Sequence, residues 1–513
     1  MKPGFESPAP TLDATLRTMA ATRGDATFIV EESGHLTTYR DLDRAVDTTA
    51  RRLDVHGVAS GDAVGVLSTV TRDLIVLLYA LHRLGAVAAL VNPASTDREI
   101  AGVLRKSRAE FLIADTLDEL AVGELPRVSG VRSITMEVLA DTALPEEEAV
   151  EFSGPTPDIP ATMIFTSGTT SEPKGVVYTH GHQMHGARNY ARNLVLTESD
   201  LHMHHFPLFH MNGLNQLGSV LVSGARLLLV SRFRSSRFDS LVDQFGPTTT
   251  FLNGTHVKML RSVDVPLRTV SSLERVGMSL QMSDEDYDWF ENKYDAIFLE
   301  GYGLTESVAL CLSNPPQGPR KRQCCGIPGE SYEIRIVDGA GNDSVIGVPG
   351  ELLVRSSDPY GIMHGYVDDA EATSSALTDG WLHTGDIVYR DADGYVFYVE
   401  REKELIKRAG ENISANEVRD VIEAFDGVKE AAVVGRPDRL REEVPVAFLT
   451  VDGSDDLCVE DLKSFCSERL AAFKVPADFT VVESLPRTAV GKVERRTLQR
   501  WAESAVQATG ESA

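Results

Sequence analysis

The chain has little of what would mark it as secreted, membrane-spanning or nucleic-acid-binding. Its 513 residues include only five cysteines, at 311, 324, 325, 458 and 466, with no CxxC spacing. Adjacent cysteines do not easily bridge each other, so a disulfide framework is not expected and the usage suits a reducing cytoplasm. Long apolar runs are missing too: the strongest, 74–91, is broken by His82 and Arg83 and is too short to cross a bilayer on either side of them. The first ten residues carry one lysine and no apolar core, so no secretory signal is read there. Basic residues are in deficit, 50 Lys plus Arg against 76 Asp plus Glu, for a formal charge of -26. A field of that sign repels phosphate backbones and anionic lipid, which argues against nucleic acid or a membrane surface as principal partner. Any anionic small molecule must therefore meet a local group of donors. Internal repeats, the GxxxxGK[ST] spacing of a Walker loop and the HExxH frame of a zinc protease are all absent.

What is present is ordinary globular chain. Hydrophobic residues make up 42% and charged residues 25%, and the length predicts about three folding units. From 26 to about 298, short β-branched runs alternate with longer amphipathic stretches: 63–68 before 73–84, 226–230 before 238–245, 284–294 before 296–300. That alternation reads as α/β with mainly parallel strands. Past Gly326 the texture becomes short strands punctuated by Gly, Pro and Asp, as at 332–337, 350–355 and 394–399, which predicts a β-rich subdomain. After Arg401 a compact α+β tail follows. Ser414 and Glu417 form a capping-box pair opening a helix with Val418, Val421, Ile422 and Phe425 on one face. A second helix with Leu462, Phe465, Cys466 and Leu470 falls between strand-like 431–435 and 479–482. The charged segment 400–404 is the predicted domain boundary, dividing the chain into 1–400 and 401–513.

The most specific stretch is Thr162-Met-Ile-Phe-Thr-Ser-Gly-Thr-Thr-Ser-Glu-Pro-Lys-Gly175. A buried strand runs into Thr166, Ser167, Gly168, Thr169 and Thr170, with Lys174 following. Backbone N–H groups, hydroxyls and one lysine are what a triphosphate requires, because they offer many donors without bulk. On composition alone, a Ser/Thr/Gly surface loop reads equally well.

The order of residues resembles the adenylate-forming superfamily of acyl-CoA synthetases, carrier-protein adenylation domains and luciferases. The likeness continues through Phe206-Pro-Leu-Phe-His210-Met-Asn-Gly213, Gly301-Tyr-Gly-Leu-Thr305-Glu306-Ser, Gly350-Glu-Leu, Asp379-Gly-Trp-Leu-His-Thr-Gly-Asp386, Arg401-Glu-Lys-Glu-Leu-Ile-Lys407-Arg-Ala-Gly410-Glu-Asn412-Ile and Pro486-Arg-Thr-Ala-Val-Gly-Lys492. These occur in family order over about two-thirds of the chain. The run from Arg408 to Ser414 and the region 251–260 look most like the crotonobetaine/carnitine-CoA ligase group.

The resemblance implies an α/β fold: a large N-terminal domain with a β-rich part at about 326–400, then a small mobile α+β C-terminal domain. It also implies two half-reactions. A carboxylate attacks the α-phosphorus of ATP and releases pyrophosphate, and the thiol of coenzyme A then displaces AMP. By the same resemblance, the loop from Thr166 to Thr170 with Lys174 would hold the departing phosphates. Glu306 would ligate Mg2+, a hard cation that needs a carboxylate, and Thr305 would donate to the α-phosphate. Taken without its neighbours, a Thr-Glu pair simply begins a helix. Tyr302 would stack on adenine, with Gly301 and Gly303 letting the backbone approach. Asp386 would accept from the ribose hydroxyls and Arg401 would reach the same sugar, although an Asp in a Thr-Gly-Asp turn is also a common solvated loop residue. Lys492 would bridge carboxylate and α-phosphate oxygens. Lys403 would be the hinge about which the C-terminal domain turns, bringing Lys407 and the coenzyme A loop of Arg408, Ala409, Gly410 and Asn412 to the site. Here Glu400 and Glu404 replace the commoner Gly and Asp of the family pattern. Lys407, Arg408 and the basic stretch 436–441 are candidates for the 3′-phosphate of coenzyme A.

The acyl pocket implied by the resemblance comprises His210, Met211, Asn212, Asn253, Gly277, Met278 and Ser279. The bulk of Met278 and the polar groups of Asn212, Gln216 and Asn253 favour a small, polar-substituted or aromatic acid over a long alkyl chain. Seven of the thirteen histidines lie between His180 and His210. Without a ligand frame at set spacing, histidines flanking a nucleotide cleft explain them better than zinc. The expected protein is an ATP- and Mg2+-dependent acid–thiol ligase working in the cytoplasm on a small carboxylic acid, with self-association left open. A carrier-protein phosphopantetheine or a non-thiol nucleophile is the alternative acceptor. A non-catalytic nucleotide-binding relative is disfavoured because Lys492, Glu306 and the loop are all present.

Overall fold

The computed structural model describes residues 9–95, 97–115, 130–144, 152–166, 174–279, 282–401, 406–408, 411–438, 441–451, 457–470, 472–487 and 493–509. Contacts divide the chain into two units: 1–334 with 353–383 and 394–396, and 335–352 with 384–393 and 397–513.

The first unit holds two sheets. In the nine-stranded sheet, Arg275–Ser279, Thr249–Asn253, Leu201–His204, Arg226–Leu229 and Thr27–Glu31 run parallel, as does Ile297–Gly303 beside Arg275–Ser279. Antiparallel strands Leu310–Ser313 and Leu36–Thr38 flank this parallel set. The six-stranded sheet places Ala63–Leu67, Val87–Leu90 and Phe111–Ala114 in parallel and ends on the antiparallel hairpin Pro160–Thr166 with Lys174–Thr179. Helices cross between successive parallel strands because each leaves one strand and must return to begin the next in the same direction. The expected pairings of strand and helix are all found, at Ala63–Leu67 with Arg72–Leu84, Arg226–Leu229 with Ser235–Phe245, and Asp284–Tyr294 with Ile297–Gly303.

The main core lies between the sheets. It joins Ile29, Leu227 and Phe251 of one to Val64, Ala88 and Ile164 of the other through the helices Tyr39–Val55, Arg72–Leu84, His180–Asn193 and Met211–Ser223. A second core covers the opposite face of the larger sheet, with Val30, Leu228, Leu252 and Met278 against Phe238, Leu260 and Phe290. Consecutive residues of each strand go to different cores, as the two-residue repeat demands.

The apolar stretch 74–91 is a buried helix, a turn at Gly85 and the strand Val87–Leu90. Its interrupting Arg83 is itself buried, held by Asp13 at 2.8 Å and Asp43 at 2.6 Å. Among the described residues no helix is long and apolar enough to cross a membrane.

Short strands at Tyr332–Val337, Gly350–Ser356, Leu377–Thr378, Trp381–Arg390 and Val396–Arg401 supply the β-rich part, and the division into units passes through them. In the second unit, Val428–Asp438 and Glu442–Val451 pair antiparallel. Ala415–Glu423 and Val459–Arg469 pack on one side of this pair and Arg495–Thr509 on the other. Ser414 caps the helix Ala415–Glu423 by accepting from Glu417 N at 3.2 Å. Only this half of the expected capping box is observed. The Glu417 carboxylate instead takes Lys474 Nζ at 2.7 Å, a charge-assisted bond stronger than one to a neutral amide.

Candidate active site

The phosphate-type loop is the connection of a hairpin. Thr166 and Lys174 face each other at the ends of paired strands. Ser167, Gly168, Thr169 and Thr170 lie outside the described residues, and Thr166 is described by its backbone alone.

A third segment extends the hairpin. Val177 N donates to Gly365 O at 3.2 Å and Val367 N to Gly175 O at 2.8 Å, which sets Tyr366 beside Val176 of the hairpin. The Tyr366 hydroxyl donates to Glu306 Oε1 at 2.7 Å, and Lys174 Nζ lies 4.9 Å from the centroid of its ring. Glu306 sits in a turn. Ser307 N bonds to Leu304 O at 3.1 Å, Val308 N bonds to Thr305 O at 3.2 Å, and Val308 has φ 62, so the Thr-Glu pair does not start a helix.

Three tyrosines from three elements hold consecutive residues of this turn. Tyr178 donates to Thr305 O at 2.6 Å, Tyr366 holds the Glu306 carboxylate, and the Tyr332 hydroxyl lies 2.9 Å from Ser307 O. Tyr332 is itself met by His185 Nε2 at 2.9 Å, and His185 Nδ1 by Asp358 at 2.9 Å. That bond from His185 leads the causes that bring the Asp358 carboxyl down to about 2. None of these tyrosines is marked by local sequence pattern, since each contact joins distant parts of the chain.

The strand Ile297–Gly303 carries Gly301, Tyr302 and Gly303 antiparallel to Leu310–Ser313. A Cβ on Gly303 would stand 2.4 Å from Ala309 O, so the glycine is required by the neighbouring strand whatever it does for a nucleotide. At the same strand, burial pushes the Glu300 carboxyl up to about 8 despite bonds from Gln323 N at 3.0 Å and Asn314 Nδ2 at 3.1 Å. The Tyr287 hydroxyl bonds to the same carboxyl.

The parallel strands all end at one edge, where open α/β sheets bind ligands. Asn253 and Ser279 are paired in register there. Asn253 caps the helix Gly254–Val263 by accepting from His256 N at 2.9 Å. A Cβ on Gly277 would lie 2.3 Å from Phe251 Cδ2, so its absence lets that ring occupy the face. Phe251 in turn stacks on Tyr190 at 5.8 Å, whose hydroxyl meets Met211 Sδ at 3.8 Å. His210 is the residue before the helix Met211–Ser223, its ring 4.6 Å from that of Phe209.

Two acyl-pocket expectations change. Met278 is fully buried in the second core, on the opposite sheet face from Gly277, because the strand repeat alternates sides. Gln216 is fully buried and already engaged, with Oε1 at 3.0 Å from His202 and Nε2 donating to Asn212 Oδ1 at 2.6 Å. Phe251 was the residue missed on this face, although its bulk opposite a glycine on the adjacent strand is a readable signal.

In the second unit, Asp386 is buried on the strand Trp381–Arg390, with its N–H bonded to Thr384 Oγ1 at 3.1 Å. The neighbouring Gly385 N donates to Glu351 Oε1 at 3.1 Å. Arg408 donates to Phe473 O, and Arg436 pairs with Asp478 at 2.5 Å. Lys407 and Asn412 are paired in register on adjacent strands; these two and Arg401 are described by backbone alone. Lys403, Ala409, Gly410 and Lys492 lie outside the described residues.

Three histidines of the cluster are held by contacts within the fold. His182 bonds to Thr179 N at 3.0 Å and Ile362 O at 2.9 Å, His202 bonds to Thr249 and Gln216, and His180 packs edge-on against His82 at 5.1 Å. Burial lowers His180, His182 and His202 to about 4 and holds them neutral. Among the described residues no group of three or more His, Cys, Asp or Glu could hold a metal. A single carboxylate fits Mg2+, which keeps waters and phosphate oxygens as its other ligands. Glu306 meets that requirement, since Tyr366 engages one of its oxygens.

A doubly layered α/β body with a Gly/hydroxyl hairpin beside a clamped carboxylate turn defines a nucleotide-binding enzyme class. Residues 16–367 match the AMP-binding enzyme family and residues 417–492 its C-terminal domain. The chain belongs to the AMP-binding enzyme family. It is 28% identical over 481 residues to the crotonobetaine/carnitine–CoA ligase of Proteus mirabilis strain HI4320, covering 90% of this chain and 92% of that one. The protein of that name from Salmonella agona strain SL483 is 28% identical over 507 residues, covering 94% and 97%. Among solved structures, o-succinylbenzoate–CoA synthetase (MenE) from Bacillus subtilis with its acyl-adenylate intermediate superposes with TM-score 0.86 at 28% identity, covering 96% of this chain and 98% of that one. The anthranilate–CoA ligase AuaEII with anthranoyl-AMP gives 0.84 at 25% identity, covering 97% and 98%.

Proposed function

We propose that the protein joins a carboxylic acid to ATP as an acyl-adenylate, releasing pyrophosphate, and then transfers the acyl group to the thiol of coenzyme A. One observation carries this reading: Glu306 and Lys174, distant in sequence, are brought to one side chain at the mouth of the phosphate-type hairpin. There Glu306 would hold Mg2+, which when bound offsets charge on the phosphate oxygens. Thr166, Ser167, Gly168, Thr169, Thr170 and Lys174 would receive the leaving pyrophosphate, with Thr305 at the α-phosphate. Gly301, Tyr302 and Gly303 would take adenine, and Asp386 with Arg401 the ribose. Lys492 lowers the repulsion between two anions brought together for attack. The chain would act as domains 1–400 and 401–513 turning about Lys403, with Lys407, Arg408, Ala409, Gly410 and Asn412 serving thiolation. Coenzyme A is favoured over a carrier arm because the curated and solved relatives above are CoA ligases.

Acid binding falls to the face of Asn253, Gly277 and Ser279, near His210, Met211 and Asn212. Phe251 and Tyr190 give that face an aromatic floor, which supports a small or aromatic acid. The five cysteines, four buried and Cys458 exposed, form no disulfide, which is consistent with work in a reducing compartment.

The test is product analysis with ATP, Mg2+ and a panel of short, aromatic and long-chain acids, with and without coenzyme A. Acid-dependent AMP and pyrophosphate, with acyl-CoA formed only when coenzyme A is present, is the expected result. Acyl-AMP that accumulates while coenzyme A is ignored overturns the acceptor assignment.

A further inference from the structure

Tyr366 touches both charged groups of the proposed phosphate site. Its hydroxyl donates to Glu306 Oε1 at 2.7 Å; a carboxylate has two oxygens, so this bond restrains the group through one of them, and Oε2 is the one a cation would take. Lys174 Nζ rests 4.9 Å from the centroid of the same ring, an attraction between ammonium and aromatic face that restrains where the cation stands.

The main chain that carries the ring is anchored by four hydrogen bonds. The flanking residues Gly365 and Val367 are bonded to Val177 and Gly175 of the hairpin, and Met363 N donates to Glu306 O at 2.8 Å. Tyr366 N donates to Thr373 Oγ1 at 3.0 Å. The segment 363–367 therefore ties the base of the phosphate-type loop to the backbone of the carboxylate residue, with one aromatic ring between them.

We propose that Tyr366 is a positioning residue that orients the Glu306 carboxylate for a divalent cation carried on ATP and sets its spacing from the Lys174 ammonium. This rests on the reading of Glu306 as the metal carboxylate. A side chain behind a metal ligand is worth about 10- to 100-fold in metal affinity. Tyr366→Phe keeps the ring, the backbone bonds and the face offered to Lys174, and removes only the donor to Glu306.

The experiment measures equilibrium binding of Mn2+·ATP to the full chain by electron paramagnetic resonance of the manganese, and of ATP in EDTA by calorimetry. Wild type, Tyr366→Phe and Glu306→Gln are compared. Expected is a loss of about 10- to 100-fold in Mn2+·ATP affinity for Tyr366→Phe, a larger loss for Glu306→Gln, and metal-free ATP affinity unchanged in Tyr366→Phe. Loss in Glu306→Gln alone overturns the role of Tyr366 and keeps that of Glu306. No loss in either variant overturns both. Equal losses with and without metal in Tyr366→Phe also overturn the proposal, because a general disturbance of the pocket would then account for them.

Discussion

The hydroxyl of Tyr178, the last residue but one of a strand leaving the phosphate-type loop, donates to the backbone carbonyl of Thr305 at 2.6 Å. Tyr178 is fully buried and its hydroxyl stays protonated, because burial and the nearby Glu306 both raise its pKa. Tyr178→Phe removes the shorter of two bonds to this carbonyl, which keeps Val308 N at 3.2 Å, at a cost of about 0.5–1.5 kcal/mol. Urea denaturation is expected to show that loss without a change in m-value. Pyrophosphate exchange should fall too, since the turn carrying Thr305 and Glu306 loosens.

Neighbouring positions on one strand should behave oppositely. Gly277→Ala forces the Phe251 ring from its place and is expected to raise KM for the acid while leaving KM for ATP nearly unchanged, with about 1–3 kcal/mol of stability lost to overpacking. Met278→Leu, on the other face, should cost less than about 1.5 kcal/mol and leave acid selectivity as it was. Steady-state kinetics across the acid panel separates the two.

Acid should unfold the protein steeply. Burial lowers His180, His182, His202 and His256 to about 4 and His204 to about 3, from an ordinary 6.5. The unfolded chain therefore binds these protons first. Their contribution is complete above pH 6.5 and is lost as pH falls toward 4. Urea titrations at a series of pH values should give a slope equivalent to about three or more protons taken up on unfolding between pH 6 and 4.5. A flat profile there contradicts the buried neutral assignment.

Glu300 sets the opposite limb. Its folded-state pKa is raised from 4.5 to about 8, chiefly by burial. A carboxyl shifted upward favours the fold in its protonated form. Its contribution is whole below pH 4.5 and declines as pH rises through 8. Wild type should lose stability between pH 6 and 9, and Glu300→Gln, which keeps the neutral shape, should lose clearly less over the same range.

The alternation of strands and helices was legible because hydrophobic period and turn residues are local: Ala63–Leu67, Asp284–Tyr294 and Ala415–Glu423 lie where the pattern puts them. The order of motifs likewise carried the family. What escaped depends on three-dimensional neighbours. Glu417 leaves its capping partner for Lys474, which is distant in sequence. Met278 and Gln216 have polarity and bulk suited to a pocket, but which sheet face or helix side they take is set by register and by His202. Tyr178, Tyr332 and Tyr366 sit in three unrelated segments, and nothing near any of them in sequence shows that they meet on residues 305–307.

In the proposed reaction, acid activation precedes thiolation and depends on Lys492, with thiolation served by other residues. Acid-dependent exchange of labelled pyrophosphate into ATP tests it most directly, measured in wild type and Lys492→Ala beside thiolation from supplied acyl-adenylate. Exchange is expected in wild type and abolished in the variant, with thiolation surviving there. Exchange that persists in Lys492→Ala, or that needs no carboxylic acid, contradicts it.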